Sequence, residues 1–117
     1  MTSARIGIVE SDPARRLKLA GLLRPHCAAA LPLADENAAL ALLEEGGVDG
    51  LLVESSGCTP ATLDRLRDSP VPTILLVVTG STEMTGGSVT VLTKPVTGAT
   101  LLATLRMFFG EHLAHAA

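Results

Sequence analysis

The 117-residue sequence has no tryptophan and no tyrosine, and its two aromatic residues, Phe108 and Phe109, stand side by side near the end. With 47% hydrophobic residues drawn mainly from Ala, Leu and Val, the core must be aliphatic. Cysteine is scarce. Cys27 and Cys58 show no metal-ligand spacing, so a zinc site or a disulfide framework is not expected, and they read as two reduced structural thiols. Long apolar runs are missing as well: runs such as Ile74 to Val78 are far too short to span a bilayer, and the leading MTSARIG has no signal-peptide stretch. A cytoplasmic protein is expected. The net charge is −3, and basic residues scattered from Arg5 to Arg106 form no concentrated stripe to neutralise phosphates, so nucleic acid is not expected as a direct partner. A glycine-rich phosphate loop, a nucleophile with an adjacent base and a metal triad are all lacking, which points away from an enzyme.

What is present is an alternation of strand and helix signals in a chain long enough for one core. Arg5 to Val9 (RIGIV) reads as a strand. It runs into ESDP, where Asp12 can cap a helix with Pro13 in its first turn. Leu17, Ala20 and Leu23 recur at helical spacing, with Arg15, Arg16 and Lys18 outward, until Pro25. A weaker strand follows over Ala28 to Leu33. Asp35 then caps ENAALALLEEGG, with Ala38 and Leu42 among its apolar positions and a double-glycine stop at Gly46 and Gly47. Gly50 to Val53 is a continuous apolar run of the kind buried on both faces of a parallel sheet, and it ends in Glu54. Thr59 and Pro60 open a short helix closed by Ser69 and Pro70. Thr73 to Thr79 is the strongest strand signal, and a fifth strand, Val89 to Thr93, leads into Lys94 and Pro95. A last helix is expected over Gly98 to Leu113.

Elements in this order predict one α/β domain over residues 1–117, a doubly wound, five-stranded parallel sheet with helices on both faces. The domain suits a free-standing protein and the front of a longer one equally well. Chemistry in such sheets gathers beyond the carboxyl ends of the strands. There the sequence places Glu10, Ser11 and Asp12 after the first strand, Glu54 after the third, Thr79 after the fourth and Lys94 after the fifth. Cys27 and Cys58 fall at opposite ends of this sheet, too far apart to bridge.

The segments IVESDP, DGLLVE, LLVVTG and the Lys94-Pro95 pair, in this order, resemble the CheY-like receiver domains of two-component response regulators over essentially the whole chain. The resemblance implies the flavodoxin-like strand order 2-1-3-4-5. It also implies a site in which two acids at the end of the first strand hold Mg²⁺ and an aspartate ending the third accepts a phosphoryl group from a histidine kinase. Thr79, small Gly80 and Lys94 match the positions that contact that group, and Lys94-Pro95 matches a peptide bond usually cis in the family. Glu10, Ser11 and Ser56 fall at the metal-site positions. Ser11 replaces an acid, and a neutral hydroxyl is a poor Mg²⁺ ligand, so Mg²⁺ binding is not expected and no other cofactor is implied. Asp12, as a helix cap, does not take the acid's place.

Glu54 falls on the phosphoacceptor position. One methylene longer than Asp, it moves the carboxylate out of line for an incoming phosphoryl group and toward Lys94 and Thr79. The reading is therefore an atypical pseudo-receiver, signalling through protein contacts without phosphorylation. A purely structural Glu54–Lys94 pair, weak phosphorylation on Glu54 or a nearby Ser, and a small-ligand sensor are the alternatives.

Only nine residues, GSTEMTGGS, lie between Thr79 and the fifth strand, where the family has a full helix; a loop is expected, and it could leave a ligand pocket. Val91 stands where many receivers carry a rotating aromatic residue. On the last helix the apolar stripe is wider than one sheet contact requires, which points to a two-fold homodimer through Val91, Leu102, Arg106, Phe109 and Leu113. His26, His112 and His115 lack spacing partners and read as surface or interface residues. A histidine kinase or an effector domain is the other partner implied by the resemblance.

Overall fold

A computed structural model describes residues 4–27, 29–77, 89–94 and 97–108. Five strands, β1 (Arg5–Val9), β2 (Ala29–Leu33), β3 (Gly50–Glu54), β4 (Thr73–Val77) and β5 (Val89–Thr93), form one sheet in the order β2-β1-β3-β4-β5. Every neighbouring pair is parallel. Among the described residues four α-helices connect or follow them: α1 (Pro13–Leu23), α2 (Glu36–Glu45), α3 (Pro60–Asp68) and α4 (Gly98–Phe108).

Side chains alternate across each strand, and the core is accordingly split into two layers. Ile8, Leu52, Ile74 and Leu76 pack with Ala20 and Leu23 of α1 and with Leu101 and Leu105 of α4. On the other face Val9, Val53, Leu75 and Val77 pack with Ala39 of α2 and Leu66 of α3. All five residues of β3 and of β4 are buried, as continuous apolar strands between two helical layers should be. The outer strand β2 carries exposed Pro32, a residue without an N–H that belongs at a sheet edge.

Caps set the helix limits. Asp12, Asp35 and Thr59 accept from the backbone N–H groups of Arg15, Ala38 and Thr62, and Gly46 ends α2 with φ 70°, where glycine carries no steric penalty.

The structure departs from the periodicity on α1. Leu17 is 61% exposed, whereas Arg16 is half-buried and its Nη1 donates to the Glu10 carbonyl at 2.9 Å. The buried arc is centred on Arg16, Ala20 and Leu23, and at about 100° per residue Leu17 lies just beyond it. Cys27 belongs to the α1/α4 layer and Cys58 packs on the α2/α3 layer. They sit on opposite faces of the sheet, and both are free thiols.

Candidate functional site

The site is built at the carboxyl ends of β1, β3 and β5. The register pairs Val9 with Val53, so Glu10 and Glu54 follow side by side at the ends of adjacent strands. Strand alternation turns both toward the α1/α4 face, the side on which Ile8 and Leu52 are buried. Each is buried, Glu10 at 2% and Glu54 at 3% exposure. Burying a carboxylate is costly unless it is paired or hydrogen-bonded, and each of these is.

Glu54 ends β3 and caps the turn that follows. Its Oε1 accepts from the Ser56 N–H at 3.2 Å and from the Ser56 hydroxyl at 2.9 Å. Its other oxygen, Oε2, forms an ion pair with Nζ of Lys94. Lys94 lies just beyond β5, anchored by its backbone N–H to the Val77 carbonyl, and its side chain reaches past β4 to β3 with 26% of its surface exposed. Both oxygens of Glu54 are thus occupied by partners from its own chain.

Glu10 is held differently. Its backbone N–H donates to the Leu33 carbonyl at 3.2 Å, and its Oε1 accepts from the Asp12 N–H at 3.1 Å. With Arg16 on its carbonyl, this fixes the loop from β1 into α1. Ser11 is exposed, and Asp12 is spent on its helix cap and a 3.6 Å contact to Arg15.

These donors do not suit Mg²⁺, which needs several oxygens in near-octahedral array. One carboxylate is tied to a backbone N–H, its neighbour Ser11 offers a neutral hydroxyl at the surface, and Glu54 is already neutralised by an ammonium. Ser56 directs both its N–H and its hydroxyl to Glu54. Among the described residues no group of three His, Cys, Asp or Glu side chains could hold a metal ion.

The structure brings together Glu10, Glu54, Ser56 and Lys94, with Ser11 at the rim. Thr79, Gly80 and Pro95, and with Pro95 the expected cis bond, lie outside the described residues, as do the loop at 80–88, the pocket expected beside it, and Phe109, His112, Leu113 and His115. Of the expected interface, Val91 of the edge strand β5 packs on the α2/α3 layer and Leu102 of α4 on the α1/α4 layer, so the two lie on opposite faces of the sheet; Arg106 is exposed. Two site features went unseen in the sequence: Ser56 as a double donor to Glu54, and Arg16 as a clamp on Glu10. Arg16 carried no signal beyond its charge.

No family model and no curated protein matches the sequence. Comparison of folds is decisive. The receiver domain of the sensor histidine kinase PA1611 from Pseudomonas aeruginosa PAO1, which holds a coordinated magnesium ion in its active-site cleft, superposes with a TM-score of 0.76 at 20% identity, covering 92% of this chain and 98% of that one. The fold is that of a receiver domain. The chemotaxis response regulator CheY4 of Vibrio cholerae gives 0.74 at 21% identity over 92% of this chain and 99% of its own. The receiver domain of Saccharomyces cerevisiae Ssk1, crystallised with the histidine phosphotransfer protein Ypd1, gives 0.74 at 19% identity over 99% and 93%. At these identities the likeness defines the receiver fold. Among the described residues no helix is long and apolar enough to cross a membrane.

Proposed function

We propose that this chain is an atypical receiver domain of two-component signal transduction, a cytoplasmic, non-enzymatic module that signals through protein contacts without an aspartyl phosphate. The observation that carries the reading is the buried Glu54 carboxylate, closed off by Ser56 on one oxygen and Lys94 on the other. In a phosphorylatable site the lysine is available to an incoming phosphoryl oxygen. Here it is already neutralised by the negative charge of Glu54, in the place a phosphoryl oxygen would take, and the pair holds the site in one state. The donor set around Glu10, Ser11 and Ser56 supports the absence of a bound Mg²⁺ on the same grounds.

Its partners are proteins: a histidine kinase or an effector domain, and a second copy through the last helix, with Leu102 and Arg106 on α4 and with Phe109 and Leu113 further along the sequence. Light scattering of the wild type and Phe109→Asp tests the dimer: a halved mass in the variant supports it, and two equal monomer masses end it.

Phosphorylation is tested by intact mass after incubation with acetyl phosphate and Mg²⁺, with Glu54→Asp beside the wild type. The wild type is expected to gain no phosphate. A stoichiometric gain would make it a working switch and overturn the reading. A gain confined to Glu54→Asp would place the loss at that one residue, and no gain in either protein would implicate Ser11 as well.

A further inference from the structure

Two exposed helix faces on opposite sides of the sheet have no role in the site. On α1 the outward residues are Ala14, Leu17, Lys18 and Gly21, all exposed. Leu17 and Met107 are the two large hydrophobic residues exposed among the described residues. Gly21 stands inside a helix with no atom within 4 Å of the place a Cβ would take. Glycine weakens a helix interior, and nothing within the molecule requires it here; what it provides is a flat spot over which another backbone can come close. The face is basic: exposed Arg15, Lys18 and Arg24 lie in a stretch whose one acid is Asp12. Neither Lys18 nor Arg24 has an ion-pair partner among the described residues.

On α2 the outward residues are Asn37, Ala41, Glu44 and Glu45. No Lys or Arg occurs between Pro25 and Asp64, while Asp35, Glu36, Glu44, Glu45 and Asp49 do. Glu44 meets Arg65 of α3 at 3.0 Å; Glu45 has no partner among the described residues. Small Ala41 leaves a shallow place in the middle of this acidic face.

We propose that these faces bind each other between copies of this chain, α1 of one molecule lying on α2 of the next, with Leu17 seated over Ala41 and Lys18 facing Glu45. Charge complementarity selects the occupant. A two-fold contact of α1 with itself would set Arg15 and Lys18 against their own copies, whereas every copy carries an acidic face on its other side. Because α1 and α2 cover opposite faces of the sheet, one molecule offers both surfaces at once, and the contact is heterologous, propagating head to tail. One helix per partner covers less than the roughly 800 Å² a side of a standard stable interface, so the association is weak, and its charges make it salt-sensitive. It does not depend on the state of Glu54.

Sedimentation velocity of the full chain over a wide concentration range, at low and at high salt, tests the contact. The average mass is expected to rise with concentration at low salt and, in Phe109→Asp, which removes the proposed contact through the last helix, to return to the monomer at high salt. Lys18→Glu and Glu45→Lys should each associate roughly tenfold more weakly, the scale of one reversed charge pair. Mixing the two variants should restore association, since each reversed face then meets a matching one. Leu17→Asp should abolish it, while Phe109→Asp, which addresses the last helix, should leave the salt-sensitive association in place. All of the substituted positions on α1 and α2 are exposed, and circular dichroism checks that the variants remain folded. A mass that does not rise with concentration at low salt in either the wild type or Phe109→Asp, single variants that associate like the wild type, or a mixture that stays dissociated would each overturn the proposal.

Discussion

Glu54 at the end of β3 and Lys94 just beyond β5 form an ion pair across the intervening strand β4. The carboxylate is buried and the ammonium is partly so, which sets the energetics of the site. Two charges taken from water and paired add little net stability compared with an apolar pair, but a single one left behind is expensive.

Lys94→Met should therefore lower the unfolding free energy by about 3 kcal/mol, the low end for breaking a buried pair given that Lys94 keeps contact with water. Adding Glu54→Gln should recover most of that loss, because no uncompensated charge remains. Urea denaturation of the two single variants and the double variant measures the coupling; additive losses would mean that the pair carries no interaction.

Ser56→Ala removes the hydroxyl that donates to Glu54 Oε1 at 2.9 Å and leaves the Ser56 N–H in place. A loss of about 1 kcal/mol is expected, and slightly more if the carboxylate is left short of donors. In a Glu54→Gln background, where the acceptor is uncharged, the same substitution should cost less.

Burial, and secondarily the charge of Glu36, push the Cys58 thiol up from 9.0 to about 11. Above pH 9 the unfolded chain releases this proton while the folded chain retains it, so the stabilising contribution is present below pH 9 and is lost as pH rises toward 11. Urea midpoints at pH 8 and pH 10.5 should differ more in the wild type than in Cys58→Ala. Burial raises Cys27 as well. Both thiols should react slowly with a thiol-specific reagent at pH 8 until the protein is unfolded.

Two glycines should respond in opposite directions to alanine. At Gly7 on β1 a Cβ would stand 2.8 Å from Leu51 Cδ2, a fully buried side chain on the neighbouring strand, so Gly7→Ala should cost about 1–3 kcal/mol through overpacking. At Gly21, open on the outer face of α1, the same change should add about 0.5–1 kcal/mol of stability. Thermal unfolding of both variants settles the signs.

The elements and their order were legible in the sequence because the signals are local. Asp12-Pro13, Asp35, Thr59-Pro60 and the glycine pair after α2 mark helix limits by satisfying or stopping the same backbone groups in any context. The apolar runs at β3 and β4 are unbroken because both faces of those strands are covered, and right-handed crossovers then leave few topologies open. That Glu54 and Lys94 both stand at the carboxyl ends of strands in one parallel sheet followed on this basis alone; the order that sets β4 between those strands was implied by the family resemblance.

What the tertiary structure decided is the disposition of side chains around those ends and across the helix surfaces. That Glu54 divides its oxygens between Ser56 and Lys94 depends on the register of β3 against β4 and β5 and on the turn after β3, which composition does not fix. That Leu17 faces water while Arg16 turns inward to the Glu10 carbonyl depends on a rotation of α1 by about one residue, and an apolar period read with small residues such as Ala14, Ala20 and Gly21 on several sides leaves that rotation open. The sequence by itself determined the strands, the helices and their limits, because those follow from backbone groups a few residues apart. The pairing of charges and the exposed faces of α1 and α2 were decided only when the sheet brought distant segments together.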